Sequence, residues 1–143
     1  MGIFHFKEKL LVIELFRNFC YPKITMSIRT FEDLEVWKKA REVRVFVQKV
    51  VKKFPPEEKY ALTLQIRKSS RSITNNTAEG YGRFFYQENI QFCRISRGSF
   101  NETLDHIIVA FDENYINDLE LNEFRVLHDD CLRFLNGYIS YLQ

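Results

Sequence analysis

From Thr30 onward, apolar residues recur every three or four positions in four separate runs, the period of amphipathic α-helices. In the first run Val36, Ala40, Val43, Val47, Val50 and Phe54 form one stripe, with Trp37 and Val51 at its edge. Thr30 and Asp33 have the spacing of a capping box, so this helix is expected to open there. Pro55-Pro56 should end it, because the residue before a proline is pushed out of the α region. The second run is expected to start at Pro56, with Glu57 and Glu58 at the positive end of the helix dipole. It places Leu62, Ile66, Ser69, Ile73 and Asn76 on one face, and Gly80 reads as the positive-φ glycine that closes it.

The third run, Gln87 to Glu113, carries two stripes. One holds Phe92, Ile95, Ser99, Thr103, His106, Ile107 and Ala110. The other holds Ile90, Phe100, Leu104, Ile108 and Phe111. A single contact needs a stripe only about 100° wide. Two stripes therefore imply burial on two sides, and the second is read as an oligomer interface. In the fourth run Leu121, Phe124, Cys131, Leu135, Tyr138 and Leu142 keep 3/4 spacing. The connections are short, as they are between antiparallel neighbours. The pattern thus predicts an all-α chain, an antiparallel up-down four-helix bundle over residues 26–143.

Residues 1–25 differ from the rest. Phe6, Leu10, Ile13 and Phe16 share one helical face, but the apolar run from Leu10 to Phe16 is interrupted by Glu14 and is too short to span a bilayer. A docking helix, a membrane-surface helix and upstream sequence preceding a start at Met26 all fit; the last is favoured. Composition agrees with helices, since five Gly and three Pro are too few for a turn-rich β fold. Fourteen Phe residues are more aromatic surface than a bundle of this size readily hides, which again hints at an added interface.

Charge divides the chain. Residues 26–83 hold 13 Lys and Arg against 7 Asp and Glu, a net +6; residues 84–143 hold 4 against 10, a net −6. Either the two halves attract each other within the bundle, or the basic half faces nucleic acid or an acidic partner. The candidate surface is Lys38, Arg41, Lys49, Lys52 and Lys53 on the first helix and Lys59, Arg67, Lys68 and Arg71 on the second, with Arg94 and Arg97 on the third. No aromatic platform or recognition-helix motif accompanies these charges in the sequence, so base readout is not expected.

Catalytic and metal chemistry finds no foothold. A bundle di-metal site needs Glu-x-x-His motifs on two helices, but Glu102 and His106 are four apart and no second copy exists. Cys20, Cys93 and Cys131 are unpaired in spacing, which points to a reducing, cytoplasmic setting with inert thiols. His106 reads as a hydrogen-bonded core residue. Catalytic, cofactor and metal residues are therefore expected to be absent. Gln65, Asn76, Glu79, Gly98, Ser99 and Glu102, together with Ser69, Ser72 and Ser96, read as a polar set that lets two helices approach closely. On that reading Gly98→Leu overpacks the contact.

Several segments carry a family resemblance: Phe31-Glu32-Asp33-Leu34-Glu35-Val36-Trp37-Lys38-Lys39-Ala40, Phe54-Pro55, Tyr60-Ala61-Leu62, Gln65-Ile66-Arg67, Ser72-Ile73, Asn76-Thr77-Ala78-Glu79-Gly80 and Gly98-Ser99-Phe100-Asn101-Glu102. In this order they resemble the four-helix-bundle proteins encoded in intervening sequences of bacterial 23S rRNA genes, across nearly everything after Met26. The resemblance implies a ring-like homopentamer with no enzymatic activity assigned to it. The related accessory proteins of diversity-generating retroelements, similar bundles, bind nucleic acid and a reverse transcriptase. The expectation is a non-enzymatic homo-oligomeric scaffold, binding RNA or DNA through its basic surface. The rival is an adaptor for a polypeptide partner that makes no nucleic-acid contact. Neither reading involves a membrane.

Overall fold

The computed structural model describes residues 28–143; the segment 1–25, the proposed boundary at Met26 and Cys20 lie outside the described residues. Among the described residues there are four α-helices: α1 (Glu35–Val50), α2 (Leu62–Tyr81), α3 (Tyr86–Asp112) and α4 (Asp118–Leu142). No strand occurs among the described residues. Contacts between side chains run in opposite senses along each neighbouring pair. Ser69, Ser72 and Thr77 on α2 meet Thr103, Ser99 and Ser96 on α3. Asn89 and Asn101 on α3 meet Tyr138 and His128 on α4. Phe46 on α1 packs on Phe124 of α4, 5.3 Å between ring centres. Each helix touches the next and α1 closes on α4, giving an antiparallel four-helix bundle.

The first stripe packs as its period requires. Val36, Ala40, Val43, Val47, Val50, Val51 and Phe54 are all buried, and Phe46 joins them. The capping box at Thr30 also forms. Thr30 Oγ1 accepts the Glu32 N–H at 3.0 Å, and the Asp33 carboxylate accepts the Arg29 and Thr30 N–H groups at 2.8 and 3.1 Å. Those amides hold the Asp33 carboxyl below the usual carboxylate range. The box caps a single 3-10 turn, Phe31–Asp33; Leu34 is extended and α1 starts after it.

Two further boundaries depart from the sequence expectation. The second helix does not begin at Pro56: Pro56–Tyr60 is a separate 3-10 turn, and Ala61 leaves helical geometry at φ −107°, ψ −112°. The Glu58 carboxylate bridges this break, accepting the Leu62 N–H at 2.9 Å and the Tyr115 hydroxyl at 3.1 Å. A side chain there supplies the cap that α2 otherwise lacks. Gly80 is not a positive-φ cap either. It is buried inside α2, which continues through Tyr81. Its missing Cβ serves packing: a methyl group there would stand 2.6 Å from Asn89 Oδ1 and 3.0 Å from Phe92 Cβ. At the other end of the bundle, Asn114 takes φ 61° and turns the chain after α3, a conformation asparagine tolerates. Asn117 then caps α4, its Oδ1 accepting the Glu120 N–H at 2.9 Å.

The two stripes of α3 face two neighbours within one chain. Ser99 and Thr103 of the first stripe bond to α2, while Phe100 of the second lies edge-on to His128 of α4. Ile90 and Phe100, read from the sequence as oligomer interface, are 1% and 0% exposed inside the bundle core. Leu104, Ile108 and Phe111 are half-buried against that same core. A helix in a four-helix bundle has two neighbours, so two stripes do not by themselves require a second copy.

The polar set separates in the same way. Ser69, Ser96 and Ser99 are buried between α2 and α3. Their hydroxyls bond in a ladder: Ser69 to Thr103 at 2.9 Å, Ser72 to Ser99 at 2.8 Å, Thr77 to Ser96 at 3.2 Å. Asn76 donates within its own helix, to the Ser72 carbonyl at 2.8 Å. Gln65, Glu79, Gly98 and Glu102 lie on the outer surface instead. A Cβ added to Gly98 would have nothing within 4 Å, so within one chain the position is not a close helix contact that a side chain's Cβ would overpack.

Candidate functional site

Positions 41, 45, 48 and 52 step by four, three and four residues, which sets Arg41, Val45, Gln48 and Lys52 along one face of α1 and the 3-10 turn Val51–Lys53 that follows it. Arg67 and Arg71 repeat at i, i+4 on α2. Beneath these rows the two helices meet through the half-buried Arg44, whose Nη1 donates to Thr74 Oγ1 at 3.2 Å. Above that contact lies an open groove lined by Val45, Gln48, Lys49, Lys52, Arg67 and Arg71. Four of the six residues are cations and none is a carboxylate. Val45, 49% exposed, is the apolar residue among them.

The cations differ in what already holds them. Lys38 is 2.7 Å from Glu35, and the Lys53 ammonium pairs with Glu120. Burial alone would raise the Glu120 pKa. Lys53, the Asn117 amide and the more distant charge of Lys49 outweigh burial and hold it below the usual range. Lys59 lies over the Tyr60 ring, 5.1 Å from its centre. Lys49, Lys52, Arg67 and Arg71 make no ion pair among the described residues. Lys53–Glu120 is the one ion pair there that joins two helical segments; the others link residues within one helix or, for Glu79 and Arg83, a helix and the turn that follows it. Direct ion pairing between the basic and the acidic half is therefore confined, among the described residues, to Lys53 and Glu120.

Of the eleven basic residues picked out by sequence, the fold brings Lys49, Lys52, Arg67 and Arg71 together on the groove. Arg41 and Lys68 are exposed on the same two helices. Arg94 and Arg97 sit on α3, away from the groove, and Arg97 reaches toward Asn136 of α4 at 3.4 Å. Val45 and Gln48 were missed because they carry no charge, although their spacing from Arg41 and Lys52 was a usable signal.

Groups with reactive potential sit in unreactive places. Burial pushes the Cys93 and Cys131 thiols up to about 12, so neither is a thiolate at neutral pH. His106 was expected to be hydrogen-bonded, yet its Nε2 has no hydrogen-bond partner among the described residues. Glu102 Oε1 stands 3.6 Å away, beyond hydrogen-bond length. Among the described residues, no three of the His, Cys, Asp and Glu side chains gather as a metal-ligand set. No described helix is long and apolar enough to cross a membrane.

Residues 32–137, most of the chain and all but the ends of the bundle, match the family described as 23S rRNA-intervening sequence protein. The chain belongs to that family. A comparison with curated proteins gives no match. The match spans α1, α2 and α3 whole, so both walls of the groove and the hydroxyl ladder lie inside the family region.

Proposed function

We propose that this member of the 23S rRNA-intervening sequence protein family is a non-catalytic scaffold that holds the phosphate backbone of RNA or DNA in the α1–α2 groove, without reading base sequence. One observation carries the proposal: four cations converge on a groove that no carboxylate lines, and none of the four has an ion-pair partner among the described residues. Surface cations that serve stability are usually matched by nearby acids, as Lys38 and Lys39 are on the same helix. The scaffold works as a homo-oligomer in a reducing, cytoplasmic setting. Repeating the groove around an assembly turns modest attraction per subunit into avidity. Support for assembly comes from the outward face of α3, where Ile95 and Val109 are exposed on either side of an uncovered Gly98.

The test is gel retardation of unrelated RNA and DNA sequences across a salt series. Binding should be sequence-tolerant, with log K falling against log salt at a slope of about −3 for a single strand touching four cations. Absence of retardation at low salt removes the proposal. Exposed Val45 among the cations also suits an acidic, partly apolar polypeptide, the basis of an adaptor reading. Recovery of one protein partner after nuclease treatment, with no retardation of nucleic acid, would favour that alternative.

A further inference from the structure

The groove has a neighbour that the sequence pattern does not disclose. Tyr60 lies in the 3-10 turn just before α2 and is 77% exposed, more than any other large hydrophobic or aromatic side chain among the described residues. The Lys59 ammonium stands over its ring at 5.1 Å. Leu64, partly exposed, follows within α2, and Arg67 and Arg71 come next along the helix. On the facing wall Lys52 lies in the 3-10 turn Val51–Lys53 that follows α1, shortly before the connection that leads to Tyr60. The α1–α2 hairpin thus sets a solvent-facing aromatic ring at the end of the molecule where the cationic rows begin. The exposed Phe84 and Phe85 belong to the α2–α3 turn at the opposite end, where they pack edge-to-face on each other at 5.0 Å.

An exposed tyrosine is poor value for folding, since its apolar ring stays in water. Beside a run of backbone-binding cations it has a clear chemical use. Every nucleobase has a π face that stacks on an aromatic ring, and stacking of this kind tolerates any sequence. In a duplex both faces of each internal base are already stacked on neighbours, and side chains reach only the groove edges. A ring placed beside phosphate-binding cations therefore discriminates by strandedness.

We infer that the groove takes single-stranded nucleic acid, with phosphates on Lys49, Lys52, Arg67 and Arg71 and an unpaired base stacked on Tyr60. The inference rests on the nucleic-acid reading of the groove and adds to it the form of the ligand. Lys59 then lies where it can meet the phosphate next to the stacked base.

The experiment compares a fluorescein-labelled 12-nucleotide mixed-sequence RNA with its blunt duplex by anisotropy. It uses the full chain and the variants Tyr60→Ser, Tyr60→Trp and Arg67→Gln/Arg71→Gln, with circular dichroism to verify that each is helical. The single strand should bind more tightly than the duplex. Tyr60→Ser should weaken the single strand about tenfold or more while leaving the duplex unchanged. Tyr60→Trp should retain single-strand affinity, and its added indole emission should be quenched by the RNA. Equal binding of both forms, with no effect of Tyr60→Ser, overturns the inference while leaving the cationic groove in place, provided Arg67→Gln/Arg71→Gln weakens both. Undiminished binding of both forms on removing the two arginines, or no binding at all, overturns both readings. Binding of polyglutamate in place of RNA would point to an acidic protein and overturns them as well.

Discussion

The two long sides of α2 are built on opposite terms. Toward α3, the helix presents Ser69, Ser72, Ile73 and Thr77, and the hydroxyls there bond to others across the seam or to backbone carbonyls. Toward the outer edge of α1 it presents Arg67 and Arg71, with no ion-pair partner among the described residues. The difference follows from solvent. A buried hydroxyl left unbonded costs about 1–3 kcal/mol, so the seam must close on itself. A surface cation is screened and hydrated, so leaving it unmatched costs the fold little. The seam thus explains itself as structure, while the groove calls for an external reason.

The largest test of that contrast is Ser96→Leu. Ser96 is fully buried, its Oγ donating to the Ile73 carbonyl at 3.0 Å and lying 3.2 Å from Thr77 Oγ1. A leucine there should destabilise by about 1–3 kcal/mol through overpacking, with the Thr77 hydroxyl losing a partner as well. Urea titration followed by circular dichroism reads the loss. RNA affinity per folded molecule should stay unchanged, because the groove is on the other side of α2.

Much of this division could be read from the residues, and the exceptions share a cause. Periodicity located the buried stripe of α1 almost residue for residue, since only core contact demands Val36, Ala40, Val43, Val47 and Val50 together. It also found both stripes of α3, but a stripe records that a face is buried and not what buries it. Ile90 and Phe100 therefore read equally well as subunit contact or as bundle core. Gly80 carried the signature of a helix end, whereas its function depends on Asn89 of the next helix, a contact that spacing along α2 does not encode. Gln65, Glu79, Gly98 and Glu102 grouped with the seam because polar residues near small ones suggest close approach, and the fold turns them outward. In the groove, cations were visible at once. Their pairing was not: whether Lys53 or Lys52 finds a carboxylate depends on where Glu120 arrives from α4. Tyr60, the last residue of the 3-10 turn before α2, belongs to no apolar stripe.

The two glycines make a smaller, paired test. Gly80→Ala gains helix propensity but forces a methyl group onto Asn89, which is itself held by a 3.0 Å bond to the Tyr138 hydroxyl. The net loss should be about 1 kcal/mol, a fall in Tm of about 4 °C. Gly98→Ala meets open space within the chain and should gain about 0.5–1 kcal/mol in a monomer from reduced backbone entropy alone. Light scattering distinguishes a further role. A fall in assembly mass for Gly98→Ala, with a raised monomer Tm, would place a second copy against that face of α3. An unchanged mass would move any subunit interface elsewhere.

The smallest expected change in stability comes from the groove, and its smallness is the point. Arg67→Gln/Arg71→Gln removes two exposed cations that have no ion-pair partner among the described residues, so unfolding free energy should stay within about 0.5 kcal/mol of the parent. Relief of repulsion among the four groove cations could even raise it within that range, since like charges oppose their own crowding. Over a salt series the same variant should bind single-stranded RNA with a slope shallower by about 0.7 for each phosphate it no longer neutralises. A substitution that leaves folding alone and removes binding places those arginines in recognition. A marked drop in Tm instead would make them structural, and the two sides of α2 would then differ in exposure but not in purpose.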